Sequence, residues 1–385
     1  MAASGTGQTV LVLGGGIGGV ATANRLRRRL DTRHREVLVN REPEFSFAAS
    51  YLWVMTGKRR PEQVTRPLQR LRRRGIEVVI GDVQHIDAAT RTVTVAGKDL
   101  TADHLVVALG ADWATDRVPG LAENGYTFAT LPGAEKLAGE LRRIESGQVT
   151  VVTAAPAYKC PAAPYEAALL IDSVLSARGV RDRVAVAVRS AEPAPMPVAG
   201  PAVGEAVGQI LSERGISYRP GSQITAAEPG RLHFGDQAED TDLLVYMPPI
   251  SPPRVIGDSA LAADDGWIHA DPHYLGTGFD GVWAIGANVQ ILLAMGKPLP
   301  RAGVFAHGQA LVVADSIAAA INRKPTPAGF DGHGGCFIET GGRRAAYGSG
   351  DFYAQPTPAV ALHPPALRWH VGKVVFETNV LRRWL

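Results

Sequence analysis

Six consecutive residues near the start of the chain, Gly14-Gly-Gly-Ile-Gly-Gly19, restrict its fold more than any others. They follow an apolar run, Thr9–Leu13, and precede a helical pattern, Val20–Leu30, after which Val37–Val39 has the character of a second strand. Gly14, Gly16 and Gly19 therefore match G-x-G-x-x-G in a βαβ setting. The first glycine allows a tight turn, the second a close backbone approach to a diphosphate, and the third close packing of helix on strand. The ribose position at the end of the second strand is normally acidic. Here it is Asn40, which can still hydrogen-bond a hydroxyl but discriminates less against a phosphate.

A second nucleotide-fold unit opens with the strand Gln148–Thr153, but its loop is different: Ala154-Ala-Pro-Ala-Tyr-Lys-Cys-Pro-Ala-Ala-Pro-Tyr-Glu166. A diphosphate needs glycines and free N–H groups at a helix start. Three prolines and two tyrosines provide neither. In their place stands Cys160, one of two cysteines in the chain. The pattern is that of a flavoprotein fold without a nicotinamide loop and with a thiol where that loop would be.

Between the two units, Leu100–Asp112 has the pattern of one strand closing at Gly110, and a helix is expected near Pro132–Ile144. Strands near Val184–Val188 and Leu243–Met247 and a helix near Val203–Arg214 fill the second unit. Glu192–Pro201 and Pro248–Pro253 are proline-rich loops. The chain then returns to an apolar strand, Val282–Gly286, with Ala287 after it. A mobile apolar loop is expected at Val289–Leu299, and Pro300-Arg-Ala-Gly303 opens a long helix to about Ile321. The expected class is α/β: two interleaved Rossmann-like dinucleotide-binding domains with a small C-terminal domain. The first domain takes residues 1–113 and 276–325, the second 114–275, and the last 326–385.

Hydrophobic residues at 45% with charged residues at 20% describe a globular protein with proper cores. A net charge of +3 suits an anionic cofactor or an acidic membrane surface, but no basic stripe points to nucleic acid. The arginine runs 25–29 and 70–74 are expected as solvated helix faces. Two cysteines form neither a disulfide scaffold nor a zinc pattern, which leaves inert core thiols or a redox pair. The first residues lack the pattern of a secretory signal, and no window has the uninterrupted apolar length of a membrane span, so a cytoplasmic location is expected. Leu367, Val371, Val374, Leu381 and Leu385 recur at helical spacing. Trp369 and Trp384 flank them, and Arg368, Lys373, Arg382 and Arg383 fall on other faces. This fits a helix on the inner face of a membrane or one packed on the domain or on a second copy in a homodimer.

The segments Gly14–Gly19, Leu105–Ala111, Lys159–Glu166, Val282–Gly286, Pro300–Gly303 and Gly335–Gly341 appear in the order found in one known group. In them the chain resembles the sulfide:quinone oxidoreductases and the flavin subunit of flavocytochrome c sulfide dehydrogenase, within the FAD-dependent pyridine nucleotide-disulfide oxidoreductases. The resemblance implies a redox disulfide between Cys160 and Cys336 at the flavin. Sulfide would attack it, leaving a persulfide and a thiolate, and two electrons would pass through FAD to a quinone. It also implies proton handling by Glu166, and cofactor contacts at Gly14, Gly16, Gly19, Asn40, Gly110, Gly286, Ala287, Arg301 and Gly303. The helix after Arg301 would aim its positive end at the flavin. Ala287 stands where many relatives have Asp. Ala48 falls where flavocytochrome c carries its flavin-linked cysteine, so the FAD is expected to be non-covalent. With two cysteines only, the sulfur would leave on a small thiol or other nucleophile. His333 belongs to a surface turn or lowers the Cys336 pKa, and Val289–Gly296 either accepts a quinone head group or is core. A cytochrome acceptor, or a persulfide-binding protein without catalysis, are the alternative functions.

Overall fold

The computed structural model describes residues 7–385; the opening residues considered for a leader sequence fall largely outside them. The chain begins β1 (Thr9–Leu13), α1 (Ile17–Arg29), β2 (Arg35–Asn40), short α2 (Tyr51–Met55), β3 (Glu77–Ile80) and β4 (His104–Val107). A second unit runs β5 (Gly125–Thr127), α3 (Leu131–Arg143), β6 (Gly147–Thr153), α4 (Ala163–Ala177), β7 (Val184–Ser190), α5 (Pro201–Glu213), β8 (Ser217–Arg219) and β9 (Leu243–Met247). The chain then adds β10 (Val282–Ala284) and α6 (Gly303–Ile321). It finishes with β11 (His333–Gly341), β12 (Arg344–Asp351), β13 (Ala359–Ala366) and α7 (Leu367–Arg383).

Two five-stranded parallel sheets form the body, in the orders β10-β4-β1-β2-β3 and β5-β9-β6-β7-β8. Val12 pairs with Leu38 on one side and Val106 on the other, and Val151 sits likewise between Val188 and Val245. Strands covered on both faces need no polar alternation, so β1 is apolar throughout after Thr9. The expected α/β class with two Rossmann-like folds is borne out, and the first sheet is completed by β10 only after the second unit has been traversed. A three-stranded antiparallel sheet, β11-β12-β13, follows, and α7 packs on it.

Several local expectations need correction. Leu100–Asp112 is not one strand. Lys98–Thr101 closes a small antiparallel sheet, and the chain turns at Asp103, whose carboxylate accepts the Thr9 N–H at 2.7 Å, before β4 begins. The arginine run on α1 is a solvated face only in part: Arg28 and Arg29 are exposed, but Arg25 and Arg29 pair with Asp315 of α6, and Arg27 with Glu36 of β2. Residues 289–299 are not a free loop, because Val289, Ile291, Leu293 and Leu299 all turn into the core. Of the large apolar side chains there, only Leu292 stands well out. His333 is exposed and already belongs to β11. By length and composition α6 could cross a membrane, contrary to the sequence expectation. It packs instead along α1, with Phe305, Ala310, Val313 and Ile317 in the core.

Helix α7 departs most from its sequence reading. Leu381 and Leu385, counted with its apolar stripe, are buried in the core, while Val375 and Phe376 join Leu367 and Val371 outside. Lys373, assigned to a basic outer face, is 4% exposed and points inward. The helix is inside out: His370, Lys373 and Glu377 face the protein and an apolar ridge faces away.

Candidate functional site

The glycine loop between β1 and α1 has the shape that a dinucleotide cradle requires. Gly14 adopts φ +104°, and a Cβ there would lie 2.3 Å from the Ala108 carbonyl oxygen. A Cβ on Gly19 would lie 1.8 Å from the Gly14 oxygen, so only glycine lets α1 pack this closely on β1. At Gly16, the N-cap of α1, an added Cβ would meet no atom within 4 Å. The first turn of α1 carries no acidic side chain, so its free amides and positive dipole end suit a diphosphate. Gly110 has φ +77° and also faces open space.

The amide oxygen of Asn40 accepts the Gly15 N–H at 2.7 Å, and its NH2 donates to the Glu42 carbonyl. Asn40 therefore braces the glycine loop. Two residues not singled out from sequence hold the neighbouring turns. Asn288, fully buried, accepts the Gly110 N–H at 3.0 Å and donates to the Val107 carbonyl. Gln309 of α6 accepts the Gly286 N–H at 2.7 Å. Arg301 is also engaged: it donates to the Ala287 carbonyl at 3.0 Å and to Gln290, and lies 3.8 Å from the Trp267 ring centroid. Burial pushes its pKa down to about 10. Gly303 opens α6, where a Cβ would strike Ile17 at 2.6 Å.

The degenerate loop after β6 brings Cys160 to the same region. Cys160 has φ +59°, a left-handed conformation that costs an ordinary residue about 1–2 kcal/mol. Two backbone bonds hold it: its N–H donates to the Arg301 carbonyl at 3.0 Å, and its carbonyl accepts from Ala163 at 2.9 Å. Cys336 arrives on β11. Gly334 and Gly335 before it are needed, since a Cβ on either would come within 2.4 Å of Phe305 or of the Tyr347 hydroxyl. Both cysteines are free thiols here, close enough to share a hydrogen bond. That bond holds the Cys160 pKa below its usual range against burial, and holds Cys336 well above it.

The two thiols open into a cavity of about 480 Å³, walled mainly by Tyr158, Met196, Val203, Phe305, Ile338 and Leu362. Glu192 reaches its wall from just beyond the end of β7, the place where a nucleotide unit usually grips a ribose. Its carboxylate is occupied by the hydroxyls of Tyr158 and Tyr165, the latter at 3.2 Å, and burial pushes its pKa up to about 7.

Behind the cysteines lies a buried charge cluster. Glu166, one turn into α4, contacts the Lys373 ammonium. Burial raises Glu166 to about 7, opposed by Lys373, whose own pKa is raised by its carboxylate neighbours in spite of burial. Glu339, three residues beyond Cys336, bonds His370 at 2.9 Å, while Glu377 pairs with Arg59 and accepts from Ser50. Each inward charge of α7 thus has a partner on a different element.

A model of the pyridine nucleotide-disulphide oxidoreductase family matches residues 8–310. The chain belongs to this family. Within it, the oxidoreductase is 25% identical over 334 residues to the sulfide-quinone reductase of Aquifex aeolicus, covering 82% of this chain and 77% of that one. It is 23% identical over 373 residues to the mouse mitochondrial sulfide:quinone oxidoreductase, covering 90% and 79%. The solved Aquifex aeolicus sulfide:quinone oxidoreductase superposes with a TM-score of 0.87 at 23% identity, over 98% of this chain and 91% of that one. The resemblance found in the sequence is borne out. The protein is an FAD-dependent oxidoreductase, and the open glycine cradle on β1–α1 fits that cofactor.

Proposed function

We propose that this oxidoreductase oxidises sulfide with Cys160 and Cys336 as a redox pair, and that a quinone receives the electrons. One observation carries the reading: thiols from two distant segments meet in an apolar cavity at the degenerate loop of the second unit, where a family member using a nicotinamide would bind it. The sulfide:quinone oxidoreductases among its relatives support the substrate and the acceptor.

The chemistry follows from the asymmetry of the pair. In the oxidised protein the two sulfurs share a bond. We assign Cys336 as the sulfur that hydrogen sulfide attacks and Cys160 as the departing thiolate, because Cys160 has a backbone N–H donor at Ala163 in addition to the Lys373 ammonium. Cys336 is left as a persulfide, and Glu166 takes the released proton. An apolar wall admits neutral hydrogen sulfide at lower desolvation cost than its anion. A small thiol then removes the outer sulfur, leaving Cys336 reduced, and reclosure of the disulfide gives up two electrons. Bound FAD supplies the two-electron acceptor from which the quinone is reduced. Residues around Gly14–Gly19, Gly110 and Gly286 would hold the cofactor, with Asn288 and Gln309 fixing the backbone. The exposed apolar ridge of α7 supports attachment to a membrane surface, where a quinone is found.

The visible spectrum of the purified holoprotein tests this. Sulfide bleaches the flavin band, NADH does not, and Cys160→Ser abolishes the sulfide response. Normal bleaching of that variant by sulfide removes the cysteine pair from the mechanism, and bleaching of the wild type by NADH alone removes the substrate assignment.

A further inference from the structure

Lys373 stands apart from the other inward charges of α7. Glu339 with His370, and Glu377 with Arg59, are complete couples. Lys373 instead faces four acidic groups from three directions: Glu166 on α4, Glu339 and Cys336 on β11, and Cys160 on the loop before α4. The Trp53 ring, 4.9 Å away, closes the remaining side. A buried ammonium needs an anion at all times. If Glu166 takes a proton, Lys373 loses its direct partner, and Glu339, already bonded to His370, and the neighbouring sulfurs are the acidic groups left facing it.

We infer that Lys373, a positioning residue delivered by α7, is the cation that keeps this site neutral while a proton moves from the Cys160 sulfur to Glu166. In that step the S–H bond breaks, an O–H bond forms on the carboxylate, and the anion facing Lys373 passes from oxygen to sulfur. The Cys336 thiol is the larger influence on Cys160 acidity; Lys373 adds to it, and Glu166 as a carboxylate opposes it. The inference rests on the redox-pair reading for its importance, but its test does not use sulfide or quinone.

The reduced holoprotein is alkylated with iodoacetamide across a pH series, and mass spectrometry separates the Cys160 and Cys336 peptides. Thiolate absorbance, referenced to Cys160→Ser, gives the same ionisation without reagent access. Lys373→Met lowers the Cys160 rate at pH 7 by about three- to tenfold, a shift of up to one pH unit in its midpoint. Glu166→Gln raises that rate, because the carboxylate that opposes Cys160 ionisation is gone while the ammonium remains. The double variant Glu166→Gln/Lys373→Met falls back toward wild type and leaves no buried charge unpaired. If Lys373→Met does not fold, the lysine effect is read between Glu166→Gln and the double variant. Opposite signs for the two single variants support the inference. Changes of the same sign, or a Lys373 variant that titrates as wild type, overturn it. Failure of the wild type to be bleached by sulfide would count against the proposed function alone.

Discussion

Glu36 shows how a single residue can make stability depend on pH. It lies on β2, 2% exposed, with Arg27 at 3.2 Å but no hydrogen bond to either carboxylate oxygen. Burial raises its pKa from 4.5 to about 7, and Arg27 only partly opposes this. A carboxyl with a raised folded-state pKa contributes its full stability below the unfolded value and loses it as pH rises through the folded one. The cost at pH 8 is about 3 kcal/mol at most. Glu36→Gln should therefore gain in melting temperature relative to wild type between pH 5 and pH 8, as followed by calorimetry. Arg27 keeps its bonds to the Leu30, Asp31 and His34 carbonyls in the variant. A constant difference across that range would mean that Glu36 does not titrate there.

At this scale the sequence was informative where function sits in a short motif. The glycines of the first loop and the Cys160 and Cys336 segments were all legible locally. Lys373 was not: its partner Glu166 lies 207 positions earlier, and nothing within a helical window shows such a pairing. Asn288 and Gln309 were missed for the same reason, since they serve backbone amides that only the fold brings near. Asn40 was seen as a ribose ligand, but its bond to the Gly15 N–H was not.

Among the elements, α7 shows how an amphipathic reading can invert. Counting apolar positions assumes that they face inward. Here the inward face carries His370, Lys373 and Glu377, and the outward ridge is Leu367, Val371, Val375 and Phe376. Deleting the helix would remove the ridge and three buried pairings together, so point changes test membrane attachment better. Val371→Glu/Val375→Glu should lower binding to anionic lipid vesicles several-fold in a sedimentation assay. Reduction of a short-chain, water-soluble quinone should remain near wild type. Both sites are about half exposed, so the stability change should stay within about 0.5 kcal/mol per site. Unchanged sedimentation would remove the ridge from membrane attachment.

For the whole molecule, the first sheet is assembled from segments on both sides of the second unit, and Asn288 joins them by tying the Gly110 turn to the strand-end region after β10. Asn288→Ala removes the acceptor of the half-buried Gly110 N–H, a loss of about 1–2 kcal/mol, while the Val107 carbonyl keeps the Ile285 N–H at 2.9 Å. FAD release on dilution should be at least about tenfold faster, which fluorescence of the freed flavin reports. Release at the wild-type rate would show that the turn holds without Asn288. The interleaved arrangement was legible because both units open with strand patterns and the apolar return strand at Val282 has no sheet of its own. The break at Asp103 and the inward turn of residues 289–299 were not, since each is set by contacts outside its own window.

The locked carboxylate of Glu192 stands in the way of a nucleotide in the second unit. Grafting glycines into residues 154–160 would restore a phosphate turn, yet the ribose grip would still be held by two phenols, one of them from within α4. Freeing it means changing Tyr158 and Tyr165, and Tyr165 is wholly buried in the core of that unit. Giving this unit a pyridine coenzyme would therefore damage its core, a steric latch that leaves the cavity to the two thiols.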